Sequence, residues 1–188
     1  MLDIGTGIRY KSLGAGIVEN HLTRDFQGQE RIFAEIYFPH RDMKAQIPIG
    51  DPGVDQKLEP LMDKQQLQQM LSNMSEAAKV LSRAWDIRAQ TGEAALKNGG
   101  PEEWIELLGS YALAEGSGVE IAASDDDLVR HAEELIASEL CCSCNKEFSW
   151  AVEQVQKAYS KTVAEASKSK QQAGHFAAVE VENAVALK

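Results

Sequence analysis

The sequence predicts an α+β protein: a small antiparallel β-barrel domain at the N-terminus followed by a compact all-helical domain. Two observations carry this. From Thr6 to about Ile49 apolar and polar residues alternate in short runs, as in Glu30-Arg31-Ile32-Phe33-Ala34-Glu35-Ile36-Tyr37-Phe38, which is the period of half-buried strands. After Pro60 the period lengthens to that of helices, with Leu67, Met70, Leu71, Met74, Ala78 and Leu81 falling on one face.

The strands are expected at 6–11, 15–22, 30–38 and 43–49, with turns at Ser12-Leu13-Gly14 and Phe26-Gln27-Gly28-Gln29. Gly50-Asp51-Pro52-Gly53 ends this part, since glycine and proline punctuate both strands and helices. The first domain is therefore placed at 1–52 and the helical one at 58–160. A first helix runs on the Leu67 to Leu81 face, and Leu81 to Leu96 continues it or forms a second, stopped by Asn98-Gly99-Gly100. Pro101 suits the first position of the next helix, with Glu102 and Glu103 at the positive end of its dipole and Trp104, Leu107, Leu108 and Tyr111 as its apolar stripe. Ser124 caps another, Asp127 completing a capping box. A last helix starts near Lys146, and from 161 to 188 the Lys, Ser, Gln and Ala content predicts a frayed, helix-prone polar tail.

Composition narrows the function classes. The 188 residues are 44% hydrophobic and 26% charged, which fits a globular chain. No run of roughly 18 apolar residues could span a membrane, and the N-terminus lacks a signal-peptide pattern, so a cytoplasmic protein without a membrane partner is expected. The net charge of -10 argues against a general nucleic-acid coat, because such affinity comes from Lys and Arg neutralising phosphates. Residues 1–57 carry 7 basic and 8 acidic side chains, 58–142 carry 6 and 16, and 143–188 carry 6 and 5, so the deficit is confined to the middle.

Little points to an enzyme. His21, His40, His131 and His175 are scattered, with no nucleophile arrangement beside them. Asp125-Asp126-Asp127 reads as first-turn carboxylates and not as a metal site. Gly14-Ala15-Gly16 lacks the third glycine and the following helix of a phosphate loop. Cys141, Cys142 and Cys144 could supply most of a zinc site, but no fourth ligand stands at standard spacing, and consecutive cysteines on a helix point apart. No cofactor, metal or small-molecule substrate is expected. Trp85 sits between basic residues in Arg83-Ala84-Trp85-Asp86-Ile87-Arg88, where a core role is the default reading.

The segment Ile4-Gly5-Thr6-Gly7-Ile8-Arg9-Tyr10-Lys11-Ser12-Leu13-Gly14-Ala15-Gly16-Ile17-Val18 resembles the start of the CarD/CdnL family of bacterial transcription regulators, whose pattern is roughly V-G-D-x-V-V-Y-P-x-x-G-x-G-x-I. Asp42-Met43-Lys44-Ala45-Gln46-Ile47-Pro48 is similar to the family's D-x-x-x-x-V-P strand. Trp85 through Leu96-Lys97-Asn98-Gly99 keeps the spacing from a tryptophan to an L-K-x-G helix end, and Ala137-Ser138-Glu139-Leu140 resembles a late I-S-E-L. The likeness covers about residues 3–160.

The resemblance implies a Tudor-like first domain that binds the RNA polymerase β subunit, and a helical domain meeting promoter DNA at the upstream edge of the melted bubble. There a tryptophan would wedge into the minor groove and hold the open complex. Matched residue by residue, Arg24, Lys44, Gln46 and Ile47 fall at polymerase-binding positions, glutamine standing at 46 where the family has arginine. Trp85 falls at the wedge, with Arg83, Arg88 and Lys97 as DNA-contacting neighbours. The family's paired arginines and lysine after the tryptophan are reduced to Arg88, and its Gly-Glu-Lys-Lys helix start is Ser124-Asp125-Asp126-Asp127. DNA binding is therefore expected to be weak alone and dependent on polymerase, which supplies a high effective concentration. The alternative is a divergent adaptor that keeps a protein partner and uses the acidic helical domain without significant DNA binding.

Overall fold

The computed structural model describes residues 2–11 and 13–186, with side chains described as far as Gln172. Five antiparallel strands come first: β1 Gly7–Tyr10, β2 Gly14–Phe26, β3 Gln29–Phe38, β4 Met43–Pro48 and β5 Leu58–Pro60, in the spatial order β4-β3-β2-β1-β5. The β2–β3 hairpin turns through Gln27 and Gly28, both at positive φ (58° and 78°), as a two-residue hairpin loop with the native twist requires. Asp25 Oδ1 accepts the Gly28 N–H at 2.9 Å and braces the turn. Of the other expected turn, Gly14 takes φ +81°, and Ser12 lies outside the described residues.

Alternation does its expected work along β3, where Ala34, Ile36 and Phe38 are buried with Ile8, Val18 and Ile47 as one core. The expected barrel is corrected in one respect: β4 and β5 form the two edges, and the sheet does not close. The strand β5 was not anticipated. It pairs with β1 beyond the expected boundary at residue 52, after a short helix, α1 Pro52–Asp55, has carried the chain from one edge of the sheet to the other.

The helical part comprises α2 Lys64–Ser72, α3 Met74–Ala77, α4 Trp85–Asn98, α5 Pro101–Gly116, α6 Ala123–Cys144 and α7 Phe148–Ala186. Helix α5 is buried nearly all round through Trp104, Ile105, Leu107, Leu108, Tyr111 and Ala112, as a central helix must be. The single helix expected to run to Leu81 is interrupted at Asn73, between α2 and α3, and ends at Ala78, which is extended. The reason lies on α5: at Gly109 an added Cβ would stand 2.7 Å from the Met74 carbonyl, so α3 passes in close contact, and Ser110 Oγ then accepts the Lys79 N–H at 2.8 Å. Helix α4 accordingly begins at Trp85. Helix α6 is capped two residues earlier than expected, at Ala122, with Asp125 Oδ2 accepting the Ala122 N–H at 3.4 Å in place of a Ser124–Asp127 box.

Helix α7 overturns the expectation of a frayed segment directly after Lys161. Thr162 and Ala166 are buried, and Gly116 of α5 meets the Val163 carbonyl so closely that a Cβ there would collide. Ser167 Oγ donates to the Gly116 carbonyl at 3.0 Å and Lys170 Nζ to that of Ser117 at 2.7 Å. The expected tail extends to Leu187 and Lys188, which lie outside the described residues.

Two consecutive residues of α6 join the sheet to the helices. Ser138 Oγ accepts the Ala15 N–H at 3.1 Å, and Glu139 Oε1 accepts from Arg9 Nη1 at 2.9 Å and from the Met62 N–H at 2.7 Å. These are the polar residues of the Ala137-Ser138-Glu139-Leu140 motif.

Candidate functional site

The exposed face of the sheet is set by register, because directly opposed residues share a face. Arg24 opposes Arg31, Gln46 opposes Glu35 and Lys44 opposes Tyr37, and within β3 the residues 31, 33, 35 and 37 alternate with the buried set. Arg24, Lys44 and Gln46 thus lie on one outer face. Arg24 is removed from Gln46 by the run from Arg31 to Glu35, about 13 Å of strand. Lys44 Nζ meets Glu19 at 2.7 Å and Gln46 Nε2 donates to Glu35 Oε2 at 3.1 Å. Both acids temper the face electrostatically. Ile47 is corrected: at 6% exposure, opposite Ala34, its side chain belongs to the sheet core and offers nothing to a partner.

Trp85 is the first residue of α4 and is 53% exposed, unlike Trp104, which is wholly buried. Its indole Nε1–H donates to Ser124 Oγ at 2.7 Å, so α6 fixes the ring while leaving an open face. Helix propensity explains the local start poorly, since Ala84 provides no cap; the turn is instead tied by Arg88.

Arg88 points inward. Its Nη1 donates to the carbonyls of Ser82 (3.0 Å) and Arg83 (3.1 Å), and its Nη2 to Asp125 Oδ2 at 2.8 Å. Asp125 is 1% exposed, and its Oδ1 accepts the Tyr111 hydroxyl at 3.1 Å. Burial, then the neighbouring Asp125 carboxylate, pushes the Tyr111 phenol up to about 12. The buried charge on Asp125 is thus matched by Arg88, which corrects the expectation of an arginine offered to phosphate. Arg83 is exposed beside Trp85. Lys97 lies at the far end of α4, twelve residues from Trp85, roughly 18 Å along the helix axis.

The structure therefore gathers Trp85, Arg83 and Ser124 at one end of the helical part, with Asp86 and Asp126 exposed close by in sequence, and leaves Lys97 apart. Ser124 and the Tyr111–Asp125–Arg88 chain were not foreseen as partners of the tryptophan segment. Residues 39 apart in sequence carry no periodic signal of pairing.

The cysteines stand on the last turn of α6. Cys141 Sγ donates to the Lys146 carbonyl at 3.0 Å, the neighbouring Cys141 and then burial push the Cys142 thiol up, and Gln68 Nε2 approaches Cys144 Sγ at 3.8 Å. Among the described residues no group of three His, Cys, Asp or Glu is placed to hold a metal ion, and no helix is long and apolar enough to cross a membrane. No protein-family model matches the chain, and no curated protein matches it.

Proposed function

We propose that this chain is a non-enzymatic transcription regulator of the CarD type. It docks on the RNA polymerase β subunit through the outer face and free edge of the sheet, with Arg24, Lys44 and Gln46, and meets the promoter fork with Trp85, assisted by Arg83. The observation that carries this reading is the half-exposed Trp85 ring held by Ser124. An aromatic ring held in place and open on one side is suited to an unstacked base step, where insertion stabilises distorted DNA. Because Arg88 is committed to Asp125, few cations accompany the ring, and affinity for free duplex is weak. Polymerase docking makes the contact effectively intramolecular. The test is the lifetime of open promoter complexes with wild type and Trp85→Ala.

The inward-turned Arg88 and the acidic residues of 58–142 favour a second reading: an adaptor that binds polymerase or another regulator by protein contacts alone. In that case the wild-type chain binds the β subunit and leaves open-complex lifetime unchanged.

A further inference from the structure

Residues 78–84 cross the helical part as an extended strap between α3 and α4. The strap is held at few points. The Lys79 N–H donates to Ser110 Oγ, Arg88 donates to the carbonyls of Ser82 and Arg83, and Leu81 packs on the helical core. On either side of it is a cavity. One, of about 590 Å³, lies between the strap and the C-terminal half of α5, with Leu81, Leu113, Ala114, Val119 and Ile121 in its wall. The other, of about 450 Å³, lies between the strap and α4, with Ile87, Ala95 and Leu107 in its wall.

Exposed apolar side chains collect here. Val80 lines both cavities and is 93% exposed; Ile87 at 51% and Val119 at 56% line one each. Leaving such surface in water costs about 25 cal/mol per Å², and apolar surface gathered around a concavity marks an interaction site. The charge around it is acidic. Glu103 and Glu106 line one cavity and Glu120 the other, while Asp86 is exposed beside Ile87. Two pairs of charges cancel internally, Lys79 with Glu106 at 2.8 Å and Arg88 with Asp125 at 2.8 Å, which leaves Glu103, Glu120 and the neighbouring Asp86 against Arg83.

We propose that the paired cavities flanking this strap are a docking groove for a basic amphipathic helix of a partner protein. Two apolar side chains on one face of that helix, one or two turns apart, enter the cavities on either side of the strap, and flanking Lys and Arg meet Glu103, Glu120 and Asp86. Charge selects this occupant over the others. An acidic rim repels phosphates, and a second copy of a chain with net charge -10 would set acid against acid. Trp85 lines neither cavity, but Arg83, its proposed helper at the promoter fork, lines the larger one, so the groove is tested in the absence of DNA.

The test uses the full-length chain without polymerase or DNA, and a fluorescein-labelled synthetic peptide with Leu at heptad positions and Lys elsewhere. Controls are its Glu-for-Lys counterpart and a scrambled Leu/Lys sequence. Fluorescence anisotropy should show saturable binding of the first peptide, weakened by salt and by roughly tenfold in a Val80→Ser/Val119→Ser double variant, with the controls at least as much weaker. These substitutions leave charge unchanged and fall at exposed positions, so the circular dichroism spectrum and Tm should be kept. Equal binding of the scrambled peptide, or full affinity in the double variant, would overturn the proposal by reducing the effect to general charge attraction. So would a dimer in sedimentation equilibrium that the double variant dissociates, since a second copy would then occupy the groove.

Discussion

Ser124 Oγ accepts the indole N–H of Trp85 at 2.7 Å, so the orientation of an exposed ring on α4 is set from the first turn of α6. Removing the hydroxyl should release the ring without unfolding anything, because the bond is exposed and a neutral hydrogen bond contributes about 1 kcal/mol. Ser124→Ala is expected to lower stability by no more than that. The Trp85 indole N–H resonance should shift and exchange faster with solvent. An unmoved resonance would show that the pairing does not orient the ring.

Arg88 and Asp125 form the internal support of the same region. Asp125 is almost fully buried, so an unpaired carboxylate there is costly. Arg88→Ala should reduce the unfolding free energy by roughly 3 kcal/mol, the usual size for breaking one side of a buried pair. A solvent-facing DNA contact would instead change stability by less than about 0.5 kcal/mol. Urea denaturation separates the two outcomes.

The link between sheet and helices rests on Arg9 and Glu139. Glu139 is 0% exposed and its Oε2 has no partner among the described residues; burial raises its carboxyl and the Arg9 guanidinium pulls it back. Arg9 also holds Glu59 at 2.8 Å. Arg9→Met should cost roughly 3 kcal/mol by stranding the carboxylate, whereas Glu139→Gln, which keeps an acceptor for the Met62 N–H, should cost about 1 kcal/mol. Combining them should recover part of the loss in a double-mutant cycle. Strictly additive costs would contradict the pairing.

His40 gives stability a dependence on pH. Its ring lies 6.3 Å from Phe148, its Nδ1 is buried with no partner among the described residues, and its Nε2 accepts from Arg41 Nε at 3.1 Å. Burial, then Arg41 and His131, lower its pKa from 6.5 to about 4. The unfolded chain therefore takes up the proton first as pH falls. The stability from neutral His40 is fully present above about 6.5 and is lost progressively toward pH 4, by an amount on the order of 1–2 kcal/mol given its partial exposure. Other groups titrate in this range, so wild type should be compared with His40→Gln. The difference between their urea midpoints should shrink or reverse below about pH 6. Parallel curves would refute the assignment.

Much of the fold was legible because periodicity reports burial. The alternation in 30–38 and the apolar faces carried by Leu67, Leu71, Trp104 and Leu108 are core in the structure. Three-residue β5 was not, since Leu58–Pro60 is too short to show a period and pairs with a strand some fifty residues earlier. The break at Ala78 was hidden for a related reason: the apolar spacing continues to Leu81, while the cause sits at Gly109 and Ser110 of another helix. At the candidate site, the sequence marks Trp85 as a basic-flanked tryptophan. That Arg88 faces inward depends on Asp125, a residue whose place in an Asp-Asp-Asp run reads equally well as a helix cap.

Trp85 is proposed to hold the promoter fork open while the sheet is docked on polymerase. The direct measurement is open-complex lifetime on a purified promoter after competitor challenge, with no added protein, wild type, or Trp85→Ala. Binding of each to the isolated β subunit is measured in parallel. Wild type should prolong the lifetime several-fold, and Trp85→Ala should return it to the protein-free value while binding the β subunit equally. Equal prolongation by both proteins, or none by a wild type that binds the β subunit, would contradict the claim.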